Sequence, residues 1–247
     1  MINEILTKID KNQILITQAR PFEGALLEQI RDFYRIGLTY TSNALEGNTL
    51  TESETKVLLE DGLTAGGKPL RHTFEALGHA EAYDFLFTLL GSRQIDKTAI
   101  ITMHWLFYQN IDRAAAGVFR LSPVIITGSR YAVTEAEVIP AEMEALILWA
   151  NESRHQYHPV EFAAQLHKRF VFIHPFIDGN GRVARLLMNA ALIQDGFLPV
   201  IIPPVLRAEY IGFLEKAHVD DSNFIEFIAE RTWESQRDMM RMLHIKE

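Results

Sequence analysis

The chain of 247 residues contains no cysteine. That excludes disulfides, zinc–thiolate sites and a thiol nucleophile. Long apolar runs are missing too. The longest, such as LPVIIPPVL at 198–206, fall far short of the ~20 residues that cross a bilayer, so no membrane partner is expected. The opening stretch, MINEILTKIDKNQILIT, is charged throughout and does not read as a secretory signal. Basic residues are in deficit: 24 Lys and Arg face 32 Asp and Glu, for a formal net charge of -8. A broad basic surface for DNA is therefore not expected, whereas a local basic pocket is compatible with the balance. Repeats and low-complexity segments are absent as well. Hydrophobic residues at 48% exclude disorder. The expectation is a soluble, cytoplasmic protein with a full-sized core.

What is present reads mostly as helix. Leu26, Leu27, Ile30, Phe33 and Leu38 recur at helical spacing and predict one buried stripe. Thr51 and Glu54 form a capping box for a helix that follows. Residues 74–90 and 95–110 are helical, the second with Asp96 or Thr98 near its start. Pro159 suits the first position of another helix. His167 on that helix reads as a hydrogen-bonded core histidine. GVFRLSPVIITGSRYAVTEAEVI, 117–139, differs. Its β-branched run, then Gly-Ser, then Tyr-Ala-Val predicts a two-stranded hairpin. The fold class expected is all-α with one β-hairpin.

Chemistry concentrates in HPFIDGNGRVARLLMN, 174–189. Gly179-Asn180-Gly181 is a turn without bulky side chains leading into a helix, and a helix N-terminus after glycines is an anion site. Arg182 and Arg185 add positive charge where the helix dipole is already positive, an arrangement that an anion stabilises. A backbone nest with two arginines suits a polyphosphate. Asp178 alone would repel phosphate; a magnesium ion bridging carboxylate and phosphates removes the conflict. His174 is placed to take a proton from an attacking hydroxyl. Singly, such a histidine, Gly-Asn-Gly turn or arginine pair is usually structural. Together within twelve residues they point to attack of a hydroxyl on a nucleotide phosphate.

This stretch resembles the Fic family signature, H-x-F-x-[D/E]-G-N-G-R-x-x-R, at every fixed position. The resemblance extends over roughly residues 30–232. It implies a Fic-type helical bundle with a hairpin flap: an N-terminal helical region at 1–90, a catalytic core at 91–232 and a helix end at 233–247. It implies transfer of AMP from ATP to a Ser, Thr or Tyr hydroxyl of a target protein. In that reading His174 is the general base, Phe176 anchors the loop and Asp178 holds Mg²⁺. Gly179, Asn180, Gly181, Arg182 and Arg185, with Val183 and Ala184 between the arginines, cradle the phosphates. The flap, Ile126, Thr127, Gly128 and Ser129, clamps the target segment. Tyr210, Ile211 and His218 stand where relatives often carry a Tyr-Tyr pair and an Asn beside adenine, so base preference does not transfer. A homodimer is compatible with the resemblance.

TSNALEGNTL, 41–50, holds a carboxylate where a helix is ending, against the helix dipole. The stretch resembles the family's inhibitory motif, [S/T]-x-x-x-E-[G/N], with Ser42 and Glu46 four apart. The resemblance implies that Glu46 pairs with Arg185 and keeps ATP from a productive pose. Two other outcomes stay open: removal of AMP, with Glu46 orienting a water, and a nucleotide-binding module with negligible turnover.

Overall fold

A computed structural model of the chain describes residues 2–246. These form ten α-helices: α1 (Ile2–Gln18), α2 (Gly24–Ala44), α3 (Glu52–Asp61), α4 (Leu70–Leu86), α5 (Lys97–Tyr108), α6 (Ile139–Ser153), α7 (Pro159–Ile173), α8 (Asn180–Gln194), α9 (Arg207–Lys216) and α10 (Ser222–Met242). Their starts obey local rules. The Thr51 hydroxyl accepts from the Glu54 N–H at 3.2 Å, and Glu54 returns the bond to the Thr51 N–H at 2.7 Å. The Asp96 carboxylate accepts from the Ala99 N–H and caps α5. Pro159 opens α7.

One apolar core runs from Leu6 on α1 to Met240 on α10. At its centre lies α8, buried on almost every face, with α7, α4, α5 and α2 around it. Alanines on α7 and α8 (Ala163, Ala164, Ala184, Ala190, Ala191) allow close backbone approach. The buried α8 carries both arginines predicted to bind phosphate, Arg182 in its first turn and Arg185 in its second.

Two expectations are corrected. The stripe on α2 is only half right: Leu38 is buried, but Leu26, Leu27 and Phe33 are 40%, 40% and 44% exposed. The buried face of α2 is instead Tyr34, Leu38, Thr41 and Ser42, because its second half is fully covered and its first half only in part. The hairpin is also absent: no residue among those described is in a strand. Residues 117–135 form an irregular flap around a turn in which the Ser129 N–H reaches the Ile126 carbonyl at 3.1 Å. Leu121 and Ile125 point to solvent at 90% and 94% exposure. Two lone strands are marginal in water, and no sheet stands beside these to complete them. The flap is held at its ends and against α9, where the Arg130 N–H reaches Glu215 at 3.2 Å. Arg120 donates to the carbonyls of His174 at 2.8 Å and Ser122 at 2.9 Å, and also to that of Thr134.

The helices α4 and α5 meet at Gly78. A Cβ there would lie 2.4 Å from the Phe107 carbonyl oxygen. Gly78→Ala is expected to lower unfolding free energy by about 1–3 kcal/mol through overpacking. Gly66→Ala, which meets open space, is the control. Urea unfolding midpoints measure both.

Candidate active site

The site is built where α7 stops and α8 starts. α7 ends because His174 adopts a left-handed backbone, φ 52°, and the loop 175–179 folds back. Asn180 fixes that loop from inside. Its side-chain carbonyl accepts from the Phe176 N–H at 2.9 Å, and its amide donates to the Phe176 carbonyl at 2.8 Å. The Phe176 ring is fully buried and stacks on His104, ring centres 3.7 Å apart and nearly parallel. His104 Nδ1 accepts from the Gly117 N–H at 2.8 Å. This leaves Nε2–H to donate to the Asp178 carbonyl at 3.1 Å. Burial holds His104 at about 4, so the ring is neutral and this tautomer persists at neutral pH. Gly179, φ 80°, then turns the chain into α8; a Cβ there would lie 2.9 Å from the Phe107 ring.

The α8 head faces a cavity lined by His174, Gly181, Arg185, Tyr210, Ile211 and His218, together with Ile126, Ser129 and Tyr131 of the flap. Burial pushes His174 down to about 4; Val171's backbone opposes this and Arg120 adds to it. The imidazole is therefore neutral, with a lone pair free to take a proton. The Arg185 guanidinium is buried, and each of its three nitrogens donates a hydrogen bond. Nε donates to the Ser42 hydroxyl at 2.9 Å, Nη2 to the Ser42 carbonyl at 2.9 Å and Nη1 to the Tyr210 hydroxyl at 3.3 Å. Nη2 also donates to Glu46 Oε1 at 2.8 Å. Tyr210 continues the chain to His167, 2.8 Å away and fully buried.

Glu46 does not sit in the last helical turn. α2 ends at Ala44, and Glu46 lies in the turn beyond, before Gly47 at φ 92°. The turn swings the carboxylate over the α8 head, so close that a Cβ on Gly181 would lie 2.3 Å from Oε1. Burial would raise this carboxyl, but Arg185, Arg182 and the hydrogen bond from Arg185 outweigh that and hold it below its ordinary range. A carboxylate thus occupies the positive end of α8, as a phosphate would.

Asp178 sits on the other side of the loop. Oδ1 accepts from the Gly179 N–H at 2.6 Å and from Arg182 Nη2 at 3.0 Å; Oδ2 accepts from Arg71 of α4. Burial would raise Asp178, and Arg182, the Gly179 N–H and Arg71 hold it low. Arg182 is buried beneath, over the Phe107 ring, and pairs with Glu75 at 3.1 Å. Val183 and Ala184 face the core rather than the cavity, and Thr127 and Gly128 do not line it. His218 does, stacked between Tyr131 and Phe172 at 3.8 and 3.6 Å. Sequence reasoning missed Arg71, Glu75, His104 and Arg120. Only the Arg71/Glu75 pair carried a signal, its four-residue spacing on a helix, which usually marks a solvated face.

Residues 94–192 match the model of the Fic/DOC family. A solved structure of Fic-1 from C. elegans superimposes with a TM-score of 0.87 at 31% identity, covering 98% of this chain and 72% of that one. The chain belongs to the Fic/DOC family. Among curated Fic relatives, "Protein adenylyltransferase fic-1" of Caenorhabditis elegans is 35% identical over 213 residues, 84% of this chain and 41% of its own length. "Protein adenylyltransferase Fic" of Nematostella vectensis is 36% identical over 236 residues, 94% of this chain and 54% of its own length. The chain spans about half the length of the curated Fic relatives it matches.

The Glu46 carboxyl is depressed below its ordinary 4.5 in the folded Fic site. Its stabilisation is therefore full above about pH 4.5 and is lost as pH falls through the lower folded value. The stability gap between wild type and Glu46→Gln, from urea unfolding at a series of pH values, should be constant near neutrality and close in acid.

Proposed function

We propose that the protein is an autoinhibited protein adenylyltransferase that transfers AMP from ATP to a hydroxyl side chain of a target protein. The observation that carries this reading is the ion pair between Glu46 and Arg185, 139 residues apart, which caps a phosphate-binding helix head beside a neutral histidine. A binding module without chemistry has no need of His174 at that place. The names of the curated relatives support the same activity.

The chain's residues divide the work. The neutral His174 accepts the proton of the incoming hydroxyl. The hydroxyl oxygen attacks the α-phosphorus of ATP, and pyrophosphate leaves. N–H groups at the start of α8 and the Arg185 guanidinium face the cavity where phosphate charge develops. Arg182 meets Glu75 and Asp178 rather than the cavity, which suits orienting Asp178. The cavity walls offered by Tyr210, Ile211, His218 and the flap are the proposed base and target side. Among the described residues, no group of three His, Cys, Asp or Glu could hold a metal unaided. A single carboxylate, Asp178, at the edge of a phosphate nest fits Mg²⁺, which binds through one or two carboxylates plus substrate phosphates. Bound there, the ion would neutralise phosphate charge.

In the resting protein Glu46 takes the Arg185 donor that a terminal phosphate needs. A second reading, removal of AMP from a modified target, is favoured by one feature: the Glu46 side chain lines the cavity and is 34% exposed, within reach of a water.

Labelled ATP, Mg²⁺ and a cell lysate separate these readings. Glu46→Gly is expected to raise label transfer by about tenfold or more, equivalent to at least ~1.4 kcal/mol of relief. Adding His174→Ala should remove about 10²–10⁴ of that rate. Unchanged labelling by a folded Glu46→Gly protein would refute autoinhibition. Release of AMP from a pre-labelled target by wild type, lost in Glu46→Gly, would support the second reading. With His174 at about 4, transfer by Glu46→Gly should stay flat from neutral pH to about pH 5 and fall only below it. A fall centred near 6.5 would mean that His174 is not the base.

A further inference from the structure

Asp178 has little unused capacity. Oδ1 is held by the Gly179 N–H at 2.6 Å and by Arg182 at 3.0 Å. Both partners belong to the rigid head of α8. That leaves Oδ2 as the oxygen available to a cation, and Arg71 Nη2 is bonded to it. Arg71 comes from α4, outside the signature segment. It stands apart from its neighbours in exposure: its side chain is 51% exposed, against 5% for Arg182 and 7% for Glu75. Glu75 is a fixed hub. Its Oε1 accepts from Arg71 Nε at 3.1 Å and pairs with Arg182 Nη1 at 3.1 Å, and its Oε2 accepts from the Asn48 amide at 2.9 Å. Arg71 is thus tethered through Nε while its outer nitrogen covers Asp178.

We propose that Arg71 is a built-in competitor for the divalent cation at Asp178 and sets the cation concentration at which the site fills. The inference rests on the reading of Asp178 as the cation carboxylate. A hard divalent ion needs direct contact with a carboxylate oxygen, and Arg71 Nη2 is bonded to the same oxygen, Oδ2. The two positive charges also repel at this distance. Because Arg71 is half exposed and tethered at one nitrogen, displacing it requires a side-chain movement and no unfolding of α4. The competition is therefore modest in size. The resting site carries two latches from the N-terminal region, Glu46 of the turn after α2 on the arginine and Arg71 of α4 on the aspartate. Asn48, two residues beyond Glu46, connects them through Glu75.

The test uses the full chain, Mn²⁺ as the probe and a non-hydrolysable ATP analogue. Free Mn²⁺ is read by electron paramagnetic resonance for wild type, Arg71→Gln, Arg71→Lys and Asp178→Asn, each checked for folding by thermal melting. Arg71→Gln is expected to bind Mn²⁺ about two- to fivefold more tightly than wild type, the span that an exposed ion pair supplies. Arg71→Lys, which keeps the charge and loses the fork, should fall between them. Equal or weaker Mn²⁺ binding by Arg71→Gln, with binding abolished in Asp178→Asn, overturns the role of Arg71 and leaves the Asp178 reading standing. Undiminished binding by Asp178→Asn, or none by any variant with the analogue bound, overturns the Asp178 reading and the inference with it.

Discussion

The ion pair between Glu46 and Arg185, 2.8 Å long, is the constraint on which the site depends. Arg185 is 4% exposed and lies near the positive end of its own helix. A buried, unpaired guanidinium there would be strongly unfavourable. Glu46 supplies the opposite charge, and Ser42 and Tyr210 take three further donors. Glu46 in turn sits just past the negative end of α2, where a carboxylate is disfavoured unless another charge holds it. Each group corrects the other's helix-dipole conflict. Gly181 makes the contact sterically possible, since any side chain there would displace the carboxylate.

Around this pair the loop 174–179 is held from several directions without using the groups that face the cavity. Asn180 pins Phe176 from within, His104 stacks on Phe176 and binds the Asp178 carbonyl, and Arg120 ties the His174 carbonyl to the flap. Apart from the stacking on the Phe176 ring, these contacts employ main-chain atoms of the loop, so the His174 ring and the α8 N–H groups stay available. Preorganisation of this kind lowers the reorganisation needed when charge develops.

Helices were legible in the sequence wherever a local rule governs them: the Thr51/Glu54 box, the Asp96 cap, Pro159 at the start of α7. The signature stretch stood out because its residues lie within a short span, and the fold brings His174, Gly181 and Arg185 to one cavity. Elements decided by tertiary neighbours were not. Leu26 and Phe33 have helical spacing, yet in that half of α2 only Ile30 packs against the core and Leu26 and Phe33 stay exposed. The segment around Ile125 and Ile126 has strand-like composition and no strand beside it. Arg182 and Arg185 look equivalent three residues apart, but Glu75 draws one away from the cavity while Glu46 caps the other. Arg71 and Glu75 resemble an ordinary exposed pair until the fold brings Asp178 against them.

The most direct test is a comparison of ATP and ADP affinities, by calorimetry with Mg²⁺, in wild type and Glu46→Gly. If Glu46 takes the donor meant for the terminal phosphate, wild type should bind the two nucleotides about equally. Freeing Arg185 should then favour ATP over ADP by about tenfold, the value of one charge-assisted contact. The same ATP-to-ADP ratio in both proteins would contradict the account.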